Sequence, residues 1–122
     1  VVGASEGKIT LVNGEANFSY SGQSYSVSKY LSMGGSKKAT YRYIEFNIEG
    51  ECLITIVAKS SSSSADRIVG LYDSTGKQVG SFDAKASQSI TTLEVNEAGT
   101  YQVGSTGSGV YIYYIIIEYF DE

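Results

Sequence analysis

The sequence contains no histidine, no tryptophan and no proline, and Cys52 is its single cysteine. Without histidine there is no Ser–His or Cys–His nucleophile pair and no histidine-ligated metal site. A lone cysteine cannot form an internal disulfide, and its place in the apolar segment ECLITIVA indicates a buried packing role. We therefore expect no histidine-based catalysis and no histidine-ligated metal, and we predict that the protein carries no cofactor and no metal.

Length and composition indicate one domain built from strands. The chain has 122 residues, so we treat residues 1–122 as a single domain. Tyrosine, serine, threonine and glycine are abundant, which favours strands over helices. No signal-peptide pattern is present, and the longest apolar run, YIYYIII at 111–117, is too short to cross a bilayer. A net charge of −4 argues against nonspecific nucleic-acid binding.

Short apolar or alternating runs recur along the whole chain, at about the 8–12-residue spacing that is typical of a sandwich or barrel. Glycine- and asparagine-rich segments separate them, among them VNGE near residue 13 and DSTGK at 73–77, where Gly76 is available for a positive φ. The sequence predicts an all-β fold, an antiparallel β-sandwich of jelly-roll type. The predicted strands are 8–12, 15–20, 25–31, 41–48, 51–59, 67–72, 77–82, 88–95, 99–104 and 110–119.

Basic residues are predicted to gather at one end of this sandwich. Consecutive strands joined by short turns alternate in direction, so their loops alternate between the two ends. The segment AKSSSSSADR, at 58–67, falls at the same end as the loops near 34–38, 83–87 and 104–109. The cations that sort to this end are Lys37, Lys38, Arg42, Lys59, Arg67 and Lys85.

Three of these cations share a second property. Side chains alternate between the two sides of a strand. Those of Arg42, Lys59 and Arg67 fall on the side that we assign to the core, at the next core-facing position beyond the last apolar residue. If 51–59 and 67–72 formed a hairpin, Lys59 and Arg67 would face each other, which destabilises a ladder unless an anion lies between them. An alternative is that Asp66 neutralises either cation.

The serine run has two open explanations. It is either a solvated loop without a role or a row of hydroxyls, chiefly Ser61 and Ser62, that donate to and accept from a polar ligand.

Two other groups of residues are weaker candidates for a functional site. Glu45, Glu49 and Glu51 flank a tight turn with no sign of a cleft, so paired-carboxylate glycoside hydrolysis is disfavoured. Four tyrosines alternate along strands and could form a platform for neutral sugars, although sheet packing is the favoured explanation. They are Tyr41, Tyr43, Tyr111 and Tyr113.

The segment ITIVAKSSSSSADRIVGLYDSTGKQVG, followed by EAGTYQVGSTGSGVYIYYIIIEY, resembles the β-sandwich modules appended to bacterial pectate lyases. It is similar in particular to family 77 carbohydrate-binding modules. The resemblance covers about residues 31–119, and AKSSSSSADR and GSGVYIYYI are its most specific parts. Residues 1–30 add little to it.

The resemblance implies a noncatalytic, monomeric module that binds homogalacturonan, the acidic backbone of pectin, within a larger secreted bacterial enzyme. Such modules are understood to contact uronate carboxylates through lysines, and the motif matches here at Lys59 and Arg67. Lys37 and Lys38 lie in a GGS-type loop that also resembles the family, whereas Lys85 rests on topology alone. Neither nucleic acid nor membrane is expected as a partner. The alternatives are a neutral-glycan module that uses the tyrosines and a structural or adhesion module without a glycan ligand.

Overall fold

A computed structural model describes residues 2–3, 9–20, 22–37 and 43–120 of the chain. These residues form ten strands and two layers. The strands are β1 (Val2–Gly3), β2 (Ile9–Tyr20), β3 (Gln23–Met33), β4 (Tyr43–Ile48), β5 (Cys52–Ser60), β6 (Arg67–Tyr72), β7 (Gln78–Ala84), β8 (Ser89–Val95), β9 (Gly99–Ser105) and β10 (Val110–Tyr119).

The strands pair into two five-stranded antiparallel sheets. Sheet A has the order β1-β4-β9-β6-β7 and sheet B has the order β2-β3-β10-β5-β8. The predicted antiparallel β-sandwich is therefore confirmed. Strands β5 and β6 lie in different sheets, so the hairpin that we considered between 51–59 and 67–72 does not form and Lys59 does not oppose Arg67. The serine segment instead carries the chain from one sheet to the other.

From residue 25 onward the observed strands agree with the predicted ones. Wherever the predicted end of a strand lies among the described residues, the observed end is within two residues of it. The predicted turn at VNGE is wrong, because β2 runs through it as one strand. Asn13 pairs with Lys29 and Ala16 pairs with Val27, so two residues of β2 oppose one of β3 in a β-bulge. The long partner strand keeps this segment paired, and Asn-Gly becomes a bulge instead of a hairpin turn.

The core lies between the sheets and follows the predicted parity on β4 and β6. Ile48, Val69 and Leu71 are buried there, and Ile44 and Phe46 pack against them. On β5 the prediction is wrong: the core side carries Cys52, Ile54, Ile56 and Ala58, and the parity of Lys59 faces outward. Burial raises the pKa of the Cys52 thiol, in keeping with its predicted packing role.

The outer face of β5 is covered as well, which explains why the pattern of its apolar residues does not show which side of the strand meets the core. Val57 is fully buried on that face, beside its pairing partner Tyr114. Phe18 and Tyr25 of the β2–β3 hairpin pack on Tyr114, with ring centroids 5.6 and 5.7 Å away. Gln88 Nε2 donates to the carbonyl of Asn17 (3.0 Å), although β2 and β8 are opposite edges of sheet B. The hairpin therefore bends across the outer face of the sheet.

The turn between β6 and β7 is built on Asp73, as its sequence predicts. Asp73 Oδ1 accepts hydrogen bonds from Thr75 N (2.9 Å), Thr75 Oγ1 (2.5 Å) and Lys77 N (3.1 Å), and Gly76 has a φ of 86°. The Thr75 hydroxyl, with help from the Lys77 and Thr75 amides, lowers the pKa of the Asp73 carboxyl.

We expect Asp73→Ala to lower the thermal midpoint at neutral pH but not in strong acid. Because the folded-state pKa lies below the usual value of 3.8, the carboxylate stabilises the fold above that value. The contribution is lost as the pH falls through the folded-state pKa. Thermal melts from pH 7 to pH 2 test this, with Ser74→Ala as the control in the same turn. An equal deficit at every pH would show that the ionised group does not matter.

Candidate functional site

Four loops meet at one end of the sandwich, as the alternation of strand directions predicts. We call this the serine end, formed by residues 34–37, 61–66, 85–88 and 106–109. Backbone hydrogen bonds join the loops: Ser60 N donates to Lys85 O (2.8 Å), and Ser61 N donates to Gly109 O (3.1 Å). Such bonds fix the start of the serine segment between two neighbouring connections, so it is not a flexible linker.

Hydroxyl-to-backbone bonds order the serine segment internally. Ser60 is fully buried and its Oγ accepts from Ser62 N (3.0 Å), while Ser62 Oγ accepts from Ser64 N (3.1 Å). These are the short-range turns that serine favours. Of the two serines predicted to bind ligand, Ser62 is half-buried and uses its hydroxyl within the loop. Ser61 is exposed and is the better placed of the two.

Arg67 lies where the space between the two sheets opens at the serine end, as its core-facing parity predicts. We call this opening the mouth. Its Nη1 donates to Ser61 Oγ (2.7 Å) and to the carbonyl of Gly109 (2.6 Å). These charge-assisted bonds tie β6 of sheet A to the loops that flank sheet B. Asp66 Oδ1 accepts from Ala86 N (2.9 Å), which attaches the 85–88 loop to the same segment.

Lys59 does not lie in the mouth. It belongs to the outward-facing parity of β5, where its Nζ donates to Ser60 O (3.2 Å) and lies 5.9 Å from the ring centroid of Tyr111. The Tyr30 ring packs against the rings of Tyr111 and Tyr113, with centroids 4.8 and 5.0 Å away. Burial, followed by the neighbouring Tyr30 and Tyr111, raises the pKa of the Tyr113 hydroxyl. We call Tyr30, Tyr111 and Tyr113 the tyrosine cluster. Sequence reasoning missed Tyr30, because only the β3–β10 pairing brings it here.

Lys37 is a second predicted site cation whose side chain does not lie between the sheets. Its amide donates to Ser105 O (2.8 Å) at the serine end, but its side chain runs over the outer face of sheet A. There the Nζ lies 4.7 Å from the ring centroid of Tyr72 and 5.7 Å from that of Tyr43. Since Tyr43 belongs to sheet A and the tyrosine cluster to sheet B, the predicted stripe of tyrosines is divided between two faces.

The remaining predicted residues divide into two groups. Lys85 is exposed and follows directly after β7, with its carbonyl bound to Ser60 N. Lys38, Arg42 and Tyr41 lie outside the described residues. The structure therefore brings Lys59, Lys85 and Arg67 around Ser60 and Ser61, and it separates Lys37 from them.

Carboxylate and thiol side chains do not cluster in the described part of the chain. Within it, no three histidine, cysteine, aspartate or glutamate side chains are grouped so that they could hold a metal ion. The described residues also include no helix that could span a membrane.

Comparison with known proteins supports the fold and leaves the ligand open. No protein-family model and no curated protein sequence matches the chain. The structure is similar to the CBM22-1 xylan-binding domain of Xyn10C from Paenibacillus barcinonensis, with a TM-score of 0.54, 12% identity, and coverage of 94% of this chain and 87% of that one. It is also similar to CBM1 of BiXyn10A, with a TM-score of 0.50, 14% identity and coverage of 91% and 97%.

At these identities the similarity establishes architecture alone. The chain has the β-sandwich fold seen in these two carbohydrate-binding modules. The finer resemblance to pectin-binding modules stays a prediction, because a shared fold does not transfer a binding site.

Proposed function

We propose that this domain is a noncatalytic module that binds homogalacturonan at the serine end and holds an attached, secreted pectin-degrading enzyme to its substrate. The observation that carries the proposal is the pair of backbone bonds from Ser60 and Ser61. They place Lys85 beside Ser60 and bring the Gly109 loop to Ser61, where Arg67 also binds. Lys59 near the end of β5, Arg67 at the start of β6 and Lys85 directly after β7 thus lie around two consecutive serines.

The chemistry of this site suits an acidic polysaccharide. Each unesterified galacturonate carries one carboxylate, and hydrogen bonds to charged groups are worth roughly 1.5–3 kcal/mol each. Lys59 and Lys85 are point charges on flexible stems, which adapt to carboxylates at variable spacing. At an exposed site, two or three such contacts give about micromolar to millimolar affinity once the association cost is included.

The other groups have distinct roles in this proposal. Arg67 already donates to Ser61 and Gly109, so it positions the exposed Ser61 hydroxyl for a sugar oxygen. The tyrosine cluster adjoins Lys59 and offers ring surface to the apolar face of a pyranose. Cations select the carboxylates, and the rings and hydroxyls hold the sugar.

We expect the double substitution Lys59→Ala/Lys85→Ala to weaken binding to unesterified polygalacturonate by more than about tenfold at low salt, because two charge-assisted contacts are lost. Wild-type affinity should fall with added NaCl and with increasing methyl-esterification, since both weaken the electrostatic attraction. Isothermal titration with pectins of graded esterification measures both effects.

Lys77→Ala is the matched control, because Lys77 is exposed in the turn at the opposite end of the sandwich. Equal affinity of the double variant and the wild type, or binding that ignores salt, contradicts the proposed site. A domain that binds no polysaccharide on a broad panel would instead be a structural or adhesion module.

A further inference from the structure

A second surface, on the outer face of sheet A, has a different composition from the serine end. Ile44, Val69 and Val103 point into the core, so their neighbours along each strand point outward. Gly70 and Gly104 pair on adjacent strands and form a flat floor without side chains. Both glycines are buried, so this floor supports the side chains that lie over it.

Two tyrosine rings and one ammonium lie over this floor. A Cβ on Gly70 would come within 2.8 Å of the Tyr72 hydroxyl and 2.9 Å of two of its ring carbons, so glycine is what allows the ring to lie on the sheet. Lys37 Nζ lies within cation–π distance of both Tyr72 (4.7 Å) and Tyr43 (5.7 Å). The two rings flank Lys37, which lines a cleft on this face.

Glu45, Thr100 and Gln102 line the cleft beside Lys37, and each takes part in a side-chain hydrogen bond. Gln102 Nε2 donates to Glu45 Oε1 (2.9 Å), and Thr100 Oγ1 donates to Asn47 Oδ1 (2.7 Å). The cleft has a volume of about 300 Å³, and the Asp73 turn closes its far side. Paired amide and carboxylate groups beside aromatic rings are suited to the vicinal hydroxyls and the apolar face of a sugar.

Charge distinguishes this cleft from the serine end. Lys37 is accompanied by two carboxylates, Glu45 and Asp73, and Lys77 interacts electrostatically with Asp73, so the described residues of the cleft carry no excess of positive charge. A polyuronate gains no net attraction from such a lining, whereas an uncharged, hydroxyl-rich ligand needs none. We propose that this surface, the Lys37 cleft, binds a neutral pyranose chain and is a second glycan site independent of the serine end.

The test is titration of the intact domain, labelled with ¹⁵N, with xylohexaose, cellohexaose and mannohexaose. We expect at least one of them to shift the amide signals of Thr75 and Gly76 and the side-chain signal of Gln102 in a saturable way. Affinity should be insensitive to salt. Gln102→Ala and Lys37→Ala should each weaken binding by about three- to tenfold, as expected for one lost hydrogen bond.

Lys77→Ala again serves as the matched control, because it removes one lysine close to the cleft but outside its lining. Hexagalacturonate, added separately, should shift the amides of Ser61 and Gly109 and not those of the cleft, so failure of one site is distinguishable from failure of the other. The proposal is overturned if none of the three neutral hexasaccharides shifts the cleft signals at millimolar concentration. It is also overturned if saturable binding survives both substitutions unchanged.

Discussion

Replacing Phe82 with alanine is expected to lower the free energy of unfolding by about 3–5 kcal/mol, the usual cost of removing a large buried aromatic side chain. Phe82 is 1% exposed and is the largest of the fully buried side chains among the described residues. It lies opposite Val69 on the β6–β7 hairpin and fills the space between the two sheets. A domain of this size has about 5–15 kcal/mol of stability in total, so the variant should be close to unfolding.

Urea denaturation followed by tyrosine fluorescence measures this loss. Val79→Ala is the matched control, since Val79 lies on the same strand and is 49% exposed. We expect the control to stay within about 0.5 kcal/mol of the wild type. A Phe82→Ala variant that loses less than about 1 kcal/mol would mean that this position is not tightly packed.

Replacing Gly109 with alanine is expected to disrupt the serine end and to weaken polygalacturonate binding together with stability. A Cβ on Gly109 would lie 2.8 Å from Ser61 Oγ and 3.0 Å from the carbonyl oxygen of Met33. Relief of this overlap moves Ser61 away from the Gly109 carbonyl, which also accepts the Arg67 hydrogen bond. Overpacking of this kind costs about 1–3 kcal/mol.

Gly107→Ala is the control in the same loop, because no heavy atom lies within 4 Å of a Cβ placed there. Denaturation and titration with polygalacturonate should both show the wild-type result for Gly107→Ala and a deficit for Gly109→Ala. Normal stability of Gly109→Ala with unchanged affinity would show that the Ser61–Gly109 contact organises neither the loop nor the site.

Local patterns were sufficient for the strands from residue 25 onward and for the end of the sandwich at which the serine-end loops lie. Gly76 in DSTGK predicts the β6–β7 hairpin, because that turn needs a residue that tolerates a positive φ. The same kind of signal was wrong at Asn13–Gly14, where pairing with β3 on both sides turns the segment into a bulge. A turn signal decides the conformation of two or three residues and does not decide whether the partner strand continues past them.

The candidate site was predicted only in part, and Lys59 shows why. β5 carries apolar residues on both of its sides, because the β2–β3 hairpin covers its outer face, which would otherwise be exposed to water. Its alternation therefore does not reveal which side meets the core, and the side chain of Lys59 was assigned to the mouth instead of to the tyrosine cluster. Arg67 was placed correctly, because Val69 and Leu71 mark a single buried side of β6.

The amino-acid sequence alone specified an all-β fold, the turns beyond residue 25, and a group of cations whose loops share one end, since these depend on side-chain period and turn chemistry within a few residues. The tertiary structure decided the strand order. That order placed β5 and β6 in different sheets and sent Lys37 and Lys59 to opposite outer faces, with Arg67 in the mouth between them. Strand order depends on how two apolar sheet faces pack over the whole chain, and no local pattern of residues contains that information.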